Sequence, residues 1–441
     1  MTIGDELRAA IKGPVVARGE DGFDAARRPW NLAVEQPVAA VVEPLDADDA
    51  VAAVRHAGRT GIPLLAQPSG HGATGDVADA LLLRTHRMDD VVIDPARRRA
   101  RVGAGAGWGK VLAAASPYGL TGLAGSSPAV GVTGYTLGGG LSWFGRAHGF
   151  AAHAVRALDV VDATGATRQV TADSDPELFW ALRGGSGEHA LVTALEFDLV
   201  PAPELYGGAL LWPGAAAQAV LATYREVTAA APDELSVWFS LVRFPGAEPM
   251  VAVHATYLGP ADEGVALLRP FEKTDGRLAD TRGALSPAEL GSVTAEPTAP
   301  SPGMSGAELL TELTDEVAEA LLARPIAPLL NVQLRHLGGA FARPPGDAGA
   351  CGALTAPFLL STYGRLPDPQ AAAGVRERHA ALAHDLRPHL TGGKPYTYLG
   401  PGEPASAAFP AATLARLRAL KRARDPEGVF RTNAPVLGDQ R

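Results

Sequence analysis

The run Pro68-Ser69-Gly70-His71-Gly72-Ala73-Thr74-Gly75 constrains this chain more than any other stretch. It follows Ile62 to Ala66, an apolar segment that reads as a buried strand. Glycines and small residues let a backbone turn sharply, approach a bulky ligand and offer amide N–H groups to a pyrophosphate. Taken alone, His71 reads as a loop histidine bonded to nearby backbone. Two further runs change that reading. Gly125-Ser126-Ser127-Pro128-Ala129-Val130-Gly131-Val132-Thr133-Gly134 leads into Leu137-Gly138-Gly139-Gly140. Glycine destabilises a helix by about 1 kcal/mol per residue, a cost that makes sense where backbone lies against a planar ligand. The third run is Asp175-Pro-Glu-Leu-Phe-Trp-Ala-Leu-Arg-Gly-Gly-Ser-Gly187, followed by a strand entered at Ala190.

Around these runs the first 200 or so residues alternate short strands and helices. Asp46 caps a helix that presents Val51 and Val54 and ends near Gly61. Val155 to Val161 and Thr167 to Thr171 flank Asp162-Ala163-Thr164-Gly165, a hairpin signal. Asp175-Pro176 opens another helix. From about Leu205 the texture becomes α+β: helices at Ala215–Ala229 and Asp262–Phe271, and strands at Leu235–Arg243, Met250–Tyr257, Leu330–His336 and Phe358–Tyr363. Thr294–Gly306 and Pro344–Gly352 read as loops. Near the end, Thr413 caps a helix carrying Leu414, Leu417 and Leu420, stopped by Asp425-Pro426.

Composition narrows the function. A net charge of −9 argues against nucleic-acid partners, whose phosphates need a dense basic surface. One cysteine, Cys351, excludes an internal disulfide and a Cys-rich metal site, and no histidine spacing suggests a metal. The Met1–Lys12 segment does not read as a signal peptide and no window is apolar enough to span a membrane, so a cytoplasmic home is expected. Gly185, Gly187 and Ala190 match a loose dinucleotide fingerprint, but a helix precedes them and a strand follows, the wrong order for nicotinamide binding. There is no Walker A loop and no Gly-x-Ser-x-Gly elbow.

In order and spacing, the three glycine-rich segments resemble the FAD domain of the vanillyl-alcohol oxidase and p-cresol methylhydroxylase superfamily. The closer resemblance is to its berberine-bridge-enzyme-like branch, which includes bacterial 6-hydroxynicotine oxidases. The sequence Leu417-x-x-x-Lys421-x-x-x-Asp425-Pro426-x-x-x-Phe430-x-x-Asn433 resembles that branch's closing motif. The resemblance implies an α+β, two-domain FAD-binding fold of p-cresol-methylhydroxylase type with an antiparallel-sheet substrate domain. Residues 1–204 would form most of the FAD domain, 205–393 the substrate domain, and 394–441 a segment returning to the FAD domain.

It also implies roles. Ser69, Gly70, Gly72, Ser126, Ser127, Val130, Gly131 and Gly134 would cradle the cofactor, Val192 would meet it through its backbone, and Asn433 would close the site. His71 stands where relatives bond a ring nitrogen to the flavin 8α-methyl. Bicovalent relatives have a cysteine where this chain has Ser127, so monocovalent FAD through His71 is expected. Glu188 replaces a residue of the usual turn, bringing a carboxylate toward the cofactor region. The implied reaction is oxidation of a small organic substrate by hydride transfer to FAD, with dioxygen as reoxidant and a monomer or homodimer as the working unit. Tyr398, His336 and Tyr363 are the candidate bases, with Tyr398 favoured; Gln333 and Arg335 alternate on the opposite face from His336. Two other readings stand beside this one: a flavin-containing cyclase or isomerase without net oxidation, and a non-catalytic protein with a degenerate FAD site.

Overall fold

The computed structural model describes residues 2–75, 77–368 and 370–438. Met1 and residues 439–441, at the ends of the expected first and last segments, lie outside them. Two larger sheets come from the first 200 or so residues, beside a two-stranded pairing of Leu120–Thr121 with Val200–Pro201. One has four strands in the order Val15–Ala17, Ala40–Val42, Leu81–Leu83, Leu64–Ala66, the last three parallel. The helix Ala47–Thr60 makes the crossover, with Asp46 accepting from the Asp49 N–H and Gly61 closing it at φ 70°. The other sheet is antiparallel, ordered Val91–Asp94, Arg99–Gly103, Leu191–Asp198, Val155–Val161, Thr167–Val170. The expected hairpin is its edge.

The third sheet has eight antiparallel strands, and Leu205–Pro213, Met250–Leu258, Leu235–Val242, Asn331–His336, Phe358–Arg365 and Gly303–Leu310 follow one another across it. Side chains alternate across its faces. One face packs Val237, Phe239, Leu334 and Leu360 against Leu221 and Tyr224 of helix Ala217–Ala230, Val317 of Asp315–Leu322, and Val375 of Ala371–Asp385. The other face turns toward the first two sheets: Trp238 joins their core and stacks on Trp143, ring centroids 3.5 Å apart. The α+β class and the antiparallel sheet expected from the sequence are both present. No helix among the described residues is long and apolar enough to cross a membrane.

Two expectations need correction. The loop read over Thr294–Gly306 ends early, because Gly303–Leu310 is a strand. Its glycines look wrong for a strand, yet each makes room for a neighbour. A methyl on Gly303 would lie 2.2 Å from the Tyr363 hydroxyl oxygen, and one on Gly306 would lie 2.9 Å from Thr362 Oγ1. Thr413 is not a cap: the last helix is Ala411–Arg424, opened by Pro410. The strand Leu205–Pro213 and the helices Ile3–Ala10, Asp315–Leu322 and Ala371–Asp385 were not read from the sequence.

Packing buries five histidines in or near the cores, and desolvation outweighs the charges around them. Burial pulls His153, His189, His254 and His379 down to about 4, and His336 to about 3. The folded chain therefore holds them neutral where an unfolded chain, titrating near 6.5, takes up protons. Stability should be level above about pH 7 and fall steadily from about 6.5 toward 4. Urea midpoints read by tryptophan fluorescence across that range check this; a flat profile would count against neutral burial.

Candidate active site

The His71 loop leaves the strand Leu64–Ala66 at Gln67, whose N–H still bonds Leu83 O at 2.8 Å. Gly70 sits at φ 75°, and a Cβ there would be 2.8 Å from Pro29 Cβ, so glycine is required twice over. The His71 ring stacks on Trp30 (centroids 4.5 Å, 19° between planes), and its Nδ1 lies 2.8 Å from Ser69 Oγ. Nε2 is buried and has no partner among the described residues. Burial lowers the imidazole to about 4, so it is neutral at physiological pH. Among the described residues, no protein acceptor receives the N–H of Gly70, His71 or Gly72.

The second glycine-rich run folds over this loop. Gly131 packs so closely on Pro68 that a methyl would come within 2.8 Å of Pro68 Cγ. Trp108 N–H to Val130 O (3.0 Å) and Val132 N–H to Ala106 O (2.8 Å) hold it there. The short helix Val132–Leu137 follows, with Gly134 facing open space. The third wall is Leu191–Asp198, whose ladder with Val155–Val161 shifts register just after Val192.

The tail closes the arrangement. Lys421 Nζ, buried, donates to Glu188 O (2.6 Å), Phe430 O (2.8 Å) and Asp425 Oδ2 (2.6 Å). Asp425 also accepts from the Val429 and Phe430 N–H groups at 2.8 and 2.9 Å. The tail is thereby laid along the edge of the first sheet, Leu64 N–H to Val429 O (2.7 Å) and Arg431 N–H to Leu64 O (2.9 Å). Asn433 Nδ2 then donates to Gly72 O, and Thr74 Oγ1 to Asn433 O at 3.1 Å. Glu188 points into this knot: its Oε1 accepts the Val436 N–H at 2.8 Å, and burial raises its carboxyl above the usual range.

Between the three runs and the tail lies a cleft with about 690 Å³ of atom-free space, its mouth included. Pro68, Gly134, Gly187, Val192, Tyr396 and Asn433 are among its walls. Of the expected cofactor residues, Gly134, Val192 and Asn433 line it. Ser69, Gly70, His71 and Gly72 continue from Pro68, while Ser126, Ser127, Val130 and Gly131 lead into Gly134. Among the described residues, Thr133 Oγ1 and Asn433 Oδ1 on its walls are buried without partners, as are both amide atoms of Gln67, Ser127 Oγ and Thr136 Oγ1 in the runs that lead to it. In folded proteins such atoms almost always find partners, so their concentration points to a large polar ligand. An FAD fits these donors and acceptors. Among the described residues no cluster of three or more His, Cys, Asp or Glu side chains is placed to hold a metal.

The candidate bases do not come together. His336 faces the helices, its ring 5.6 Å from Phe358 and its Nε2 3.0 Å from Arg146 Nη1, so it serves as an acceptor for a buried guanidinium. Tyr363 is on the opposite face, its hydroxyl 3.4 Å from Ser301 Oγ. Tyr398 is nearest the cleft: its neighbours Thr397 and Tyr396 press on Gly138, a cleft residue. Burial raises the Tyr398 phenol and Arg335 opposes the shift. Trp30 and Tyr396 were not singled out in the sequence, and isolated aromatics give no local signal for such a role.

Residues 38–171, which span the His71 loop and the Gly125–Gly140 run, match the family model for an FAD binding domain. Over 206 residues the chain is 31% identical to (R)-6-hydroxynicotine oxidase of Paenarthrobacter nicotinovorans; the match covers 46% of this chain and 45% of that enzyme. The aligned stretch thus spans less than half the length of that relative. The solved 6-hydroxy-D-nicotine oxidase of Arthrobacter nicotinovorans superposes with a TM-score of 0.86 over 97% of this chain and 98% of its own, at 22% identity. Glucooligosaccharide oxidase of Acremonium strictum, described with a 6-S-cysteinyl, 8α-N1-histidyl FAD, gives 0.84 over 99% of both chains at 23% identity. The fold is of the p-cresol-methylhydroxylase type. Residues 38–171 carry an FAD binding domain, and the chain is similar to 6-hydroxynicotine oxidase.

Replacing Lys421 by Met leaves the buried Asp425 carboxylate unpaired and frees the tail. Loss of about 3–5 kcal/mol is expected, as read by the midpoint of urea unfolding. Wild-type stability in Lys421→Met would show that the tail is held by something else.

Proposed function

We propose that this chain is an FAD-dependent oxidase acting on a small organic substrate, with FAD attached through His71 alone. The observation that carries the reading is the set of unpartnered buried polar atoms and free loop amides on and beside one cleft, whose His71-loop and Val132–Gly138 walls lie in the matched FAD binding domain. Bound FAD supplies a hydride acceptor for a substrate carbon and passes the electrons on to dioxygen.

The chain's own residues prepare this. Desolvation keeps His71 unprotonated and therefore nucleophilic, while Trp30 fixes the plane of its ring. Ser69 bonds one ring nitrogen and leaves the other without a protein partner. Ser127 offers a hydroxyl where bicovalent relatives have a thiol, and a hydroxyl does not form the second link. Gly131, Gly134 and Val192 expose backbone to the cofactor, and Asn433 closes the cleft across Gly72. Tyr398, next to the cleft and beside Arg335, is the residue we assign to the substrate's O–H or N–H proton. His336 is turned to the helices and Tyr363 to Ser301, so neither is given that role. Glu188 is engaged by the tail rather than by the cleft, which removes one motive for a degenerate site.

Acid precipitation of the purified protein tests the attachment. Flavin colour should remain in the pellet, and His71→Ala should move it to the supernatant while the fold persists. Colour in the supernatant from the wild-type chain would refute the covalent link. No flavin in either fraction, after expression with excess riboflavin, would refute the flavoenzyme reading itself.

A further inference from the structure

The sheet face opposite the helices carries a cation that the roles above leave unused. Trp238 and Arg335 face each other across neighbouring strands, as do Ser240 and Gln333. Arg335 Nε donates to Gln333 Oε1 at 2.7 Å, and Gln333 Nε2 donates to Ser240 Oγ at 3.0 Å. This relay fixes the guanidinium, which lies 3.9 Å from the centroid of the Trp238 ring. The Trp238 indole is in turn held by its stack on Trp143, so the platform is rigid. The Tyr398 ring lies 5.7 Å away. Among the described residues, no carboxylate lies within salt-bridge distance of Arg335, and neither its two Nη groups nor the Tyr398 hydroxyl donates to a protein acceptor. The pair is close to the cofactor cleft, because Thr397 and Tyr396 press on Gly138.

A half-buried cation held in one plane with its outer edge free is costly unless an anion completes it. The free edge is a planar two-donor fork, the geometry that matches a carboxylate. A neutral alcohol or amine would leave it unpaired. We propose that Arg335, with Tyr398 beside it, is a specificity-determining residue that receives the carboxylate of an organic acid substrate. This deepens the oxidase reading and rests on it for the chemistry, though not for the binding.

The test is a titration of the FAD-loaded protein with benzoate and with benzamide, its uncharged counterpart. Two signals are read: visible flavin absorption, and tryptophan fluorescence, which responds through Trp238 and needs no flavin. Benzoate should bind saturably, and benzamide about tenfold or more weakly, the scale of a charge-assisted contact. Arg335→Met should weaken benzoate by a similar factor and leave benzamide unchanged; Arg335→Lys, which keeps charge but loses the fork, should fall between. Equal affinity for the two probes, no benzoate binding, or unchanged benzoate affinity in Arg335→Met would each overturn the assignment. Fluorescence titration without a flavin response would instead fault the placement of FAD, so the two failures are told apart.

Discussion

One buried ammonium, that of Lys421, ties the last helix and the tail that follows it to a turn 233 positions earlier. It binds the turn at Glu188, the cap of its own helix at Asp425, and the tail at Phe430. A buried ion pair is weak support for stability in itself, since desolvation offsets much of the attraction. Its value here is geometric. All three ammonium protons and both Asp425 oxygens have partners, so no alternative docking of the tail satisfies them equally well. The strand at Leu64, the closing contact of Asn433 on Gly72 and the burial of Glu188 all follow from that placement.

The cleft shows the opposite economy. Its rim brings glycines into contacts that a single methyl would break, as between Gly131 and Pro68, while its polar groups are left without protein partners. Each such buried group destabilises a fold by about 1–3 kcal/mol. A ligand that satisfies them stabilises the native state by mass action and tightens the loops that contact it. The protein thus has a tightly packed frame around a region whose polar groups lack protein partners.

Much of this was legible in the sequence, and the exceptions have physical causes. Asp46 and Gly61 mark their helix because caps act through the backbone of a few adjacent residues. The hairpin about Asp162–Gly165 was readable for the same reason, as was the His71 loop. The strand Gly303–Leu310 was hidden because its glycines answer to Tyr363 and Thr362, side chains on the distant strand Phe358–Arg365. Alternation along Asn331–His336 showed that His336 and Arg335 oppose each other, yet only packing decides which face meets the helices. The stack of Trp30 on His71 depends on a fold already formed.

The tail has a consequence for how the protein comes into being. Asn433 lies 361 positions beyond the Gly72 it closes upon. During synthesis, the His71 loop and both glycine-rich walls leave the ribosome long before their last partner exists. Domains usually fold as units from the N-terminal side, but this one stays missing a wall until translation has passed Asn433. The cleft therefore takes its closed form only once the chain through Asn433 is in place.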